Sequence, residues 1–259
     1  MSEVEKVTEE ENEKFNYKNS IVVFLDILGF TEIIRKTEKN GLNKKDIKKI
    51  YNILKKVDNW STYEEMISFM QGNEKTKTNR LFDNKKFETI KNQIEKTCFS
   101  DSLVITLPYW EVNFFDRIVF IIYSLVILIS KLARENFFIR GGIAIGEMFH
   151  DSTIFYGPAL LKAYDLESRI ANYPRVVLSS ELEERINNPT VKIPYIKTSE
   201  DGLKYIDWIG FINNNKSSKD MWQIDKIKDF ISNNIKFNNK NLKVKAKYEW
   251  LKKQFENSK

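Results

Sequence analysis

An α+β fold of the ferredoxin-like or palm type, a mainly antiparallel sheet covered by helices, is what the order of elements along this chain predicts. Three observations carry that prediction. The order reads β-α-α-β-β-α-β-β-α-β, which alternates too irregularly for a Rossmann or TIM fold. Ile21 to Leu25 is an apolar run that reads as a strand buried on both faces, and it ends on Asp26. Ile94–Ser100 and Leu103–Leu107 flank the polar pair Asp101-Ser102, the pattern of a β-hairpin whose turn carries Asp101.

The elements follow in order. Residues 1–18 form a polar tail. After the strand Ile21–Asp26, Gly29 allows a tight turn, and Thr31-Glu32-Ile33-Ile34 opens a helix. Leu42 to Trp60 is a second helix, with Ile47, Ile50, Tyr51, Leu54 and Val57 three or four residues apart and lysines on the other face. The stretch 61–91 shows no clear period, and Gln71 to Lys86 reads as a solvent loop. After the hairpin, Phe114–Ala133 is a long apolar helix and Phe137–Ile145 a strand. Met148 to Gly157 is a second hairpin or a turn with a short strand. Pro158–Ala171 is helical, with Pro158 in its first turn. Arg175–Leu178 is a short strand, and Ser179 and Ser180 cap a helix over Glu181–Ile186. One hairpin turning at Asp201-Gly202 lies within Tyr195 to Trp208, and Asp220–Ile235 and Leu242–Phe255 are helices. The division is thus a tail (1–18), a catalytic-size domain (19–212) and a Lys-rich helical extension (213–259).

Composition narrows the chemistry. With 259 residues, 42% hydrophobic and 30% charged, the chain suits one full core. Its single cysteine, Cys98, excludes an intramolecular disulfide and a cysteine zinc site, and reads as a core residue of a cytoplasmic protein. The only histidine, His150, reads as a turn residue; its being alone excludes multi-histidine metal sites. Metal chemistry must then rest on carboxylates, which favours Mg²⁺ or Mn²⁺. The acidic N-terminus has no apolar signal segment, and Ile118 to Ile129 is too short to span a bilayer. The net charge of +6 gathers toward the C-terminus, as a solvated Lys-rich helix. No nucleic-acid partner is expected, because no aromatic-basic groove pattern accompanies those lysines.

Two readings stand for Asp26: a helix N-cap, or a ligand at the carboxyl end of a strand, beside backbone amides of Leu28, Gly29, Phe30 and Thr31 that could take a metal-bound phosphate. In a palm, the turn after the first strand and the central hairpin lie side by side, so Asp26 and Asp101 would converge. Two such carboxylates can hold two divalent cations.

The surroundings resemble the class III adenylyl/guanylyl cyclase catalytic domain over about residues 20–210. Phe24-Leu25-Asp26-Ile27-Leu28-Gly29-Phe30-Thr31 is similar to that family's first metal segment. Phe99-Ser100-Asp101-Ser102 resembles its second-metal hairpin, with Ser100 in the place of a glycine. Arg140-Gly141-Gly142-Ile143-Ala144-Ile145-Gly146 resembles the strand whose arginine binds substrate phosphates. Tyr156-Gly157 with Ala163 and Leu166, and Pro174 to Ser179, resemble the helix and strand that follow. The resemblance implies the class III cyclase fold. It also implies two Mn²⁺ or Mg²⁺ ions on Asp26, Asp101 and the Ile27 carbonyl, a nucleoside triphosphate substrate and a head-to-tail homodimer.

Where the family's purine cyclases carry an Asn and a transition-state Arg, this chain has Leu161 and Asp165, and where they select purine with a lysine it has Thr97. The run Gly157 to Ser168, followed by Tyr173 to Val177, is similar instead to bacterial pyrimidine cyclases of the Pycsar antiphage system. That similarity implies UTP or CTP as substrate and a downstream effector activated by the cyclic nucleotide. Base contacts then fall near Thr97, Phe99, Tyr164 and Asp165, and the missing cation to Lys162, Arg169 or Lys204. Glu167 is either an exposed helix residue or a partner of Arg140 or a metal. The alternative is an inactive homologue that binds a nucleotide or regulates a partner.

Overall fold

The computed structural model describes residues 16–39, 44–58, 84–187, 193–214 and 222–258. The expected polar tail, apart from its last residues, and most of the loop expected between the second helix and the hairpin lie outside them. The strands are β1 (Lys18–Ile27), β2 (Glu95–Phe99), β3 (Ser102–Pro108), β4 (Ile139–Asp151), β5 (Ile154–Tyr156), β6 (Val176–Leu178), β7 (Ile196–Thr198) and β8 (Lys204–Ile206). The helices are α1 (Phe30–Lys39), α2 (Lys44–Asp58), α3 (Asn84–Lys91), α4 (Phe114–Arg134), α5 (Pro158–Asp165), α6 (Ser180–Ile186), α7 (Trp208–Asn214), α8 (Ile224–Phe237) and α9 (Leu242–Asn257).

The sheet runs β2-β3-β1-β4-β6-β8-β7, with β5 paired to the end of β4. Its first four strands, read as β4-β1-β3-β2, each run antiparallel to the next. They have the ferredoxin-like order, and the fold is the α+β palm type that the element order predicted. Only β6 joins in parallel, beside β4.

Side chains alternate along β1 as a period of two requires. Ile21, Val23, Leu25 and Ile27 enter the main core with Leu103, Ile105 and Leu107 of β3 and with α4. Val22 packs on the opposite face with Val104, Ala144, Ala159 and Ala163. Burial of both faces explains the uninterrupted apolar run. By length and composition α4 could cross a membrane, but 78% of its apolar window is buried, and it is the central core helix. The Lys-rich pair α8 and α9 docks on that core through Ile227, Ile231, Leu251 and Phe255.

Several boundaries differ from expectation. The β4 strand continues past Ile145 to Asp151, with Gly146 at φ 147°. His150 is therefore a strand residue, not a turn residue. The helix expected over Pro158–Ala171 ends as an α-helix at Asp165 and finishes as a π turn, Leu166–Ile170, closed by the Ala171 N–H on the Leu166 carbonyl. The α3 helix begins inside the expected loop, and α7 follows β8 directly. Cys98 is exposed rather than buried, because β2 is the edge strand.

Candidate active site

Strand register places the site. Phe99 pairs with Ser102, Ser102 with Asp26, and Asp26 with Arg140. Directly paired residues share a face, so these four form one row across β2, β3, β1 and β4. The row lies at the carboxyl end of β1. The next row inward is Thr97, Val104, Phe24 and Gly142. Asp101 sits in the hairpin turn beside the first row, where its carbonyl accepts the Ile27 N–H at 3.0 Å. Ser100 turns that hairpin with φ 55°, a left-handed conformation that glycine adopts more readily. Asp26 and Asp101 are thus brought together, and the Asp101 charge helps to push the Asp26 carboxyl up.

Arg140 is held by two carboxylates. Its Nε–H donates to Asp26 Oδ2 at 3.2 Å, and the same nitrogen lies 2.5 Å from Glu167 Oε1. Because the N–H is aimed at Asp26, Glu167 Oε1 is buried without a hydrogen bond. Glu167 is 4% exposed, so the exposed-helix reading fails. Its position comes from Gly142: a Cβ there would lie 2.4 Å from the Ala163 carbonyl oxygen and 2.5 Å from Leu166 Cβ. Glycine lets α5 and the π turn rest on the β4 backbone, and the turn then carries Glu167 over Arg140. Burial pushes the Asp26 carboxyl above its usual range, with Asp101 adding and Arg140 opposing. Glu167 is raised chiefly by burial too, against Arg140. Lys247 of α9 completes the cluster: burial and Arg140 lower its pKa, and Asp26 and Glu167 oppose them.

The other predicted residues divide. Ile27 is buried, as is the Phe30 ring. The Leu28 N–H donates to the Phe138 carbonyl at 2.9 Å, which removes it from the expected phosphate cradle. Gly29, Phe30 and Thr31 form the turn and opening of α1, where a helix leaves amides without an intrahelical partner. Phe99 ends the row and is 76% exposed. Tyr164 stands edge-on to Phe24, ring centroids 5.4 Å apart. Asp165 pairs with Arg169 one turn on, at 3.3 Å.

Thr97 is anchored. Its hydroxyl donates to the Ser152 carbonyl at 2.7 Å, so its contact with His150 Nε2 at 2.8 Å must be accepted from the ring. His150 Nδ1 then accepts from the Thr106 hydroxyl, also at 2.8 Å. This arrangement requires a neutral imidazole, and burial lowers the His150 pKa to about 4. A base whose folded pKa lies below its unfolded value contributes stability above the unfolded pKa of about 6.5. That contribution is lost as pH falls through the folded value. The melting temperature of the native chain should therefore drop more steeply between pH 6.5 and 4 than that of His150→Gln. Parallel profiles would refute the assigned tautomer.

Among the described residues, no group of three or more His, Cys, Asp or Glu side chains is placed as a metal cluster. The candidate donors are the pair Asp26 and Asp101 with main-chain oxygen, a hard set that suits Mg²⁺ or Mn²⁺ with water and substrate oxygens in the remaining positions. The buried Asp26 carboxyl, with Asp101 and Glu167 close enough to act on one another's charge, fits a site short of positive charge.

No protein-family model matches this chain, and no curated protein matches its sequence. Among solved structures it is similar to the crystal structure of the guanylyl cyclase Cya2, at 12% identity and a TM-score of 0.35, over 74% of this chain and 91% of that one. The reading of the site rests on its own residues.

Lys247 is the member of the cluster that the sequence did not single out as a site residue; the sequence offers Glu167 as a partner of Arg140 or a metal, and the structure pairs it with Arg140. Each carried a signal. Glu167 falls four residues after Ala163 and eight after Ala159, on the buried stripe. Lys247 falls four before the fully buried Leu251.

Proposed function

We propose that this chain is a nucleotidyl cyclase that converts a pyrimidine nucleoside triphosphate, UTP or CTP, to its 3′,5′-cyclic monophosphate and pyrophosphate. The observation that carries this reading is the convergence of Asp26, Asp101 and Arg140 at one end of a palm-type sheet. The residues that resemble the cyclase motifs are the ones that meet there.

Asp26 and Asp101 would hold the divalent cations. Bound there, such ions lower the pKa of the ribose 3′-hydroxyl and neutralise the triphosphate. Gly29 to Thr31 present helix N-terminal amides to phosphate oxygens. Arg140 is oriented through Nε by Asp26 and Glu167, so its terminal nitrogens are the part of the fork offered to the phosphates. The 3′-oxygen attacks the α-phosphorus in line, its proton passes to solvent, and pyrophosphate leaves. Tyr164 and Phe24 form an aromatic step beside the phosphate end that suits a base, with Thr97 and Phe99 across the sheet. A second copy packed head to tail against the α5 face would complete the site. The product would act as a second messenger in antiphage defence, on a separate effector in the same cytoplasm.

Leu161 and Asp165 favour a second reading, an inactive homologue that binds nucleotide and regulates a partner. Neither side chain can stabilise charge in phosphoryl transfer as the arginine at that position would. Incubation with each of the four nucleoside triphosphates and Mn²⁺, with and without phage extract, separates the two. Cyclic UMP or cyclic CMP with stoichiometric pyrophosphate is expected. Nucleotide binding with no cyclic product under any condition would leave the second reading standing.

A further inference from the structure

The C-terminal helix contributes to this site. Four contacts fix α9. Tyr248 meets Phe138 edge-on at 6.1 Å, just before Ile139 and Arg140 in the chain. Trp250 stacks on Tyr173 at 5.6 Å with the rings 8° from parallel, and packs beside Leu166 and Ala171. Leu251 is fully buried. Gln254 accepts the Tyr205 hydroxyl at 2.8 Å.

Lys247 stands one turn before Trp250 and Leu251, on the face they bury. Through Tyr248 on Phe138 and Trp250 against the Leu166 and Ala171 cluster, this stretch of α9 lies beside the start of β4 and the π turn that carries Glu167. Lys247 is half-buried and interacts electrostatically with Arg140, Asp26 and Glu167.

Packing alone does not account for a lysine there. A half-buried ammonium is costly, and Lys247 is set beside a guanidinium that two carboxylates already engage. The cluster holds three carboxylates, Asp26, Asp101 and Glu167, against two cations, Arg140 and Lys247. Once Asp26 and Asp101 are neutralised by divalent cations, Arg140 and Lys247 face a surplus of positive charge. A polyphosphate supplies what balances it.

We propose that Lys247 is a polyphosphate-binding residue of this site, delivered by the C-terminal extension to hold the terminal phosphates that leave as pyrophosphate. This rests on the cyclase reading and extends it. The extension is then a working part of the site rather than a solvated tail. Within this chain the other candidates have carboxylate partners of their own: Lys162 pairs with Glu181, Arg169 with Asp165, and Lys204 with Glu183.

The test is calorimetric titration of the full chain with inorganic tripolyphosphate in Mg²⁺ buffer. It compares the native protein with Lys247→Gln, Lys247→Arg and, as a control on the outer face of α9, Lys252→Gln. Loss of one charge-assisted contact should weaken binding roughly tenfold or more in Lys247→Gln. Lys247→Arg should stay within about threefold of native, since the charge is kept. Lys252→Gln should bind as the native chain does. If Lys247→Gln fails to fold by circular dichroism, Lys247→Met, which keeps the apolar stem, takes its place.

Native affinity in Lys247→Gln or Lys247→Met overturns the proposal. So does cyclase activity above native in either variant, which would make the helix a plug. Absence of tripolyphosphate binding by the native chain overturns it as well. The two readings fail separately. Weakened tripolyphosphate binding with no cyclic product from any nucleotide sinks the cyclase reading and keeps the Lys247 assignment. Normal cyclisation with unchanged binding does the reverse.

Discussion

Asp26→Asn is expected to lower cyclic-nucleotide formation about a thousandfold, the scale on which a preorganised electrostatic contact acts. The protein should stay folded and, without divalent cations, melt at or above the temperature of the native chain. Both halves come from the same carboxylate. Asp26 is buried beside Asp101 and Glu167, and Arg140 only partly offsets the cost, so its folded pKa stands above the unfolded value. For an acid shifted in that direction, ionisation costs stability. The cost is absent below the unfolded pKa near 4 and sets in as pH rises through the folded value. Above the folded pKa the native chain carries this penalty, and asparagine removes it while keeping the shape.

Divalent cations reverse the ranking. A ligand that binds only the folded state raises the melting temperature by mass action. Mn²⁺ should therefore stabilise the native chain at pH 7.5, do so less at pH 5, where protons compete for Asp26, and leave Asp26→Asn nearly unmoved. Equal Mn²⁺ shifts in the two proteins would show that Asp26 is no ligand. A melting temperature well below native for Asp26→Asn without metal would show that its pairing with Arg140 is structural first.

The parts of this site that were legible in the sequence are those set by strand periodicity and by motif. Asp26, Asp101 and Arg140 each end or turn a short apolar run, and pairing in a ferredoxin-like sheet brings such positions to one end. What was hidden depends on non-local packing. Glu167 was on the right stripe, but a glutamate ordinarily belongs on the wet face. Only the close approach of α5 to Gly142, and the π turn after it, bury the residue. Lys247 lies about a hundred residues from Arg140 in sequence, on a helix whose many lysines look like a solvated surface. The Tyr248, Trp250 and Leu251 contacts that seat it are visible only once β4 and the π turn exist. His150 and Cys98 were misread for topological reasons. The first lies on a strand that runs on past Gly146, and the second on the outermost strand of the sheet among the described residues.

Gly142→Ala should then be damaging out of proportion to the single methyl it adds. Its Cβ would sit 2.4 Å from the Ala163 carbonyl oxygen and 2.5 Å from Leu166 Cβ. Neither is the far end of a flexible side chain, so α5 and the π turn must lift as a unit from β4. Overpacking of this kind costs about 3 kcal/mol, at the upper end for an inserted methyl group. The lift also draws Glu167 away from Arg140, which leaves the guanidinium held by Asp26 alone. Urea titration should show the stability loss. The cyclase assay, run under conditions where the variant is still folded, should show a deficit beyond it, because Arg140 is no longer oriented. Leu166→Ala added to Gly142→Ala offers a sharper test. It shortens the Leu166 side chain but leaves both its Cβ and the Ala163 carbonyl in place. The double variant should therefore recover little stability and less activity. Full recovery would mean that side-chain crowding, rather than the backbone's close approach, sets the position of Glu167.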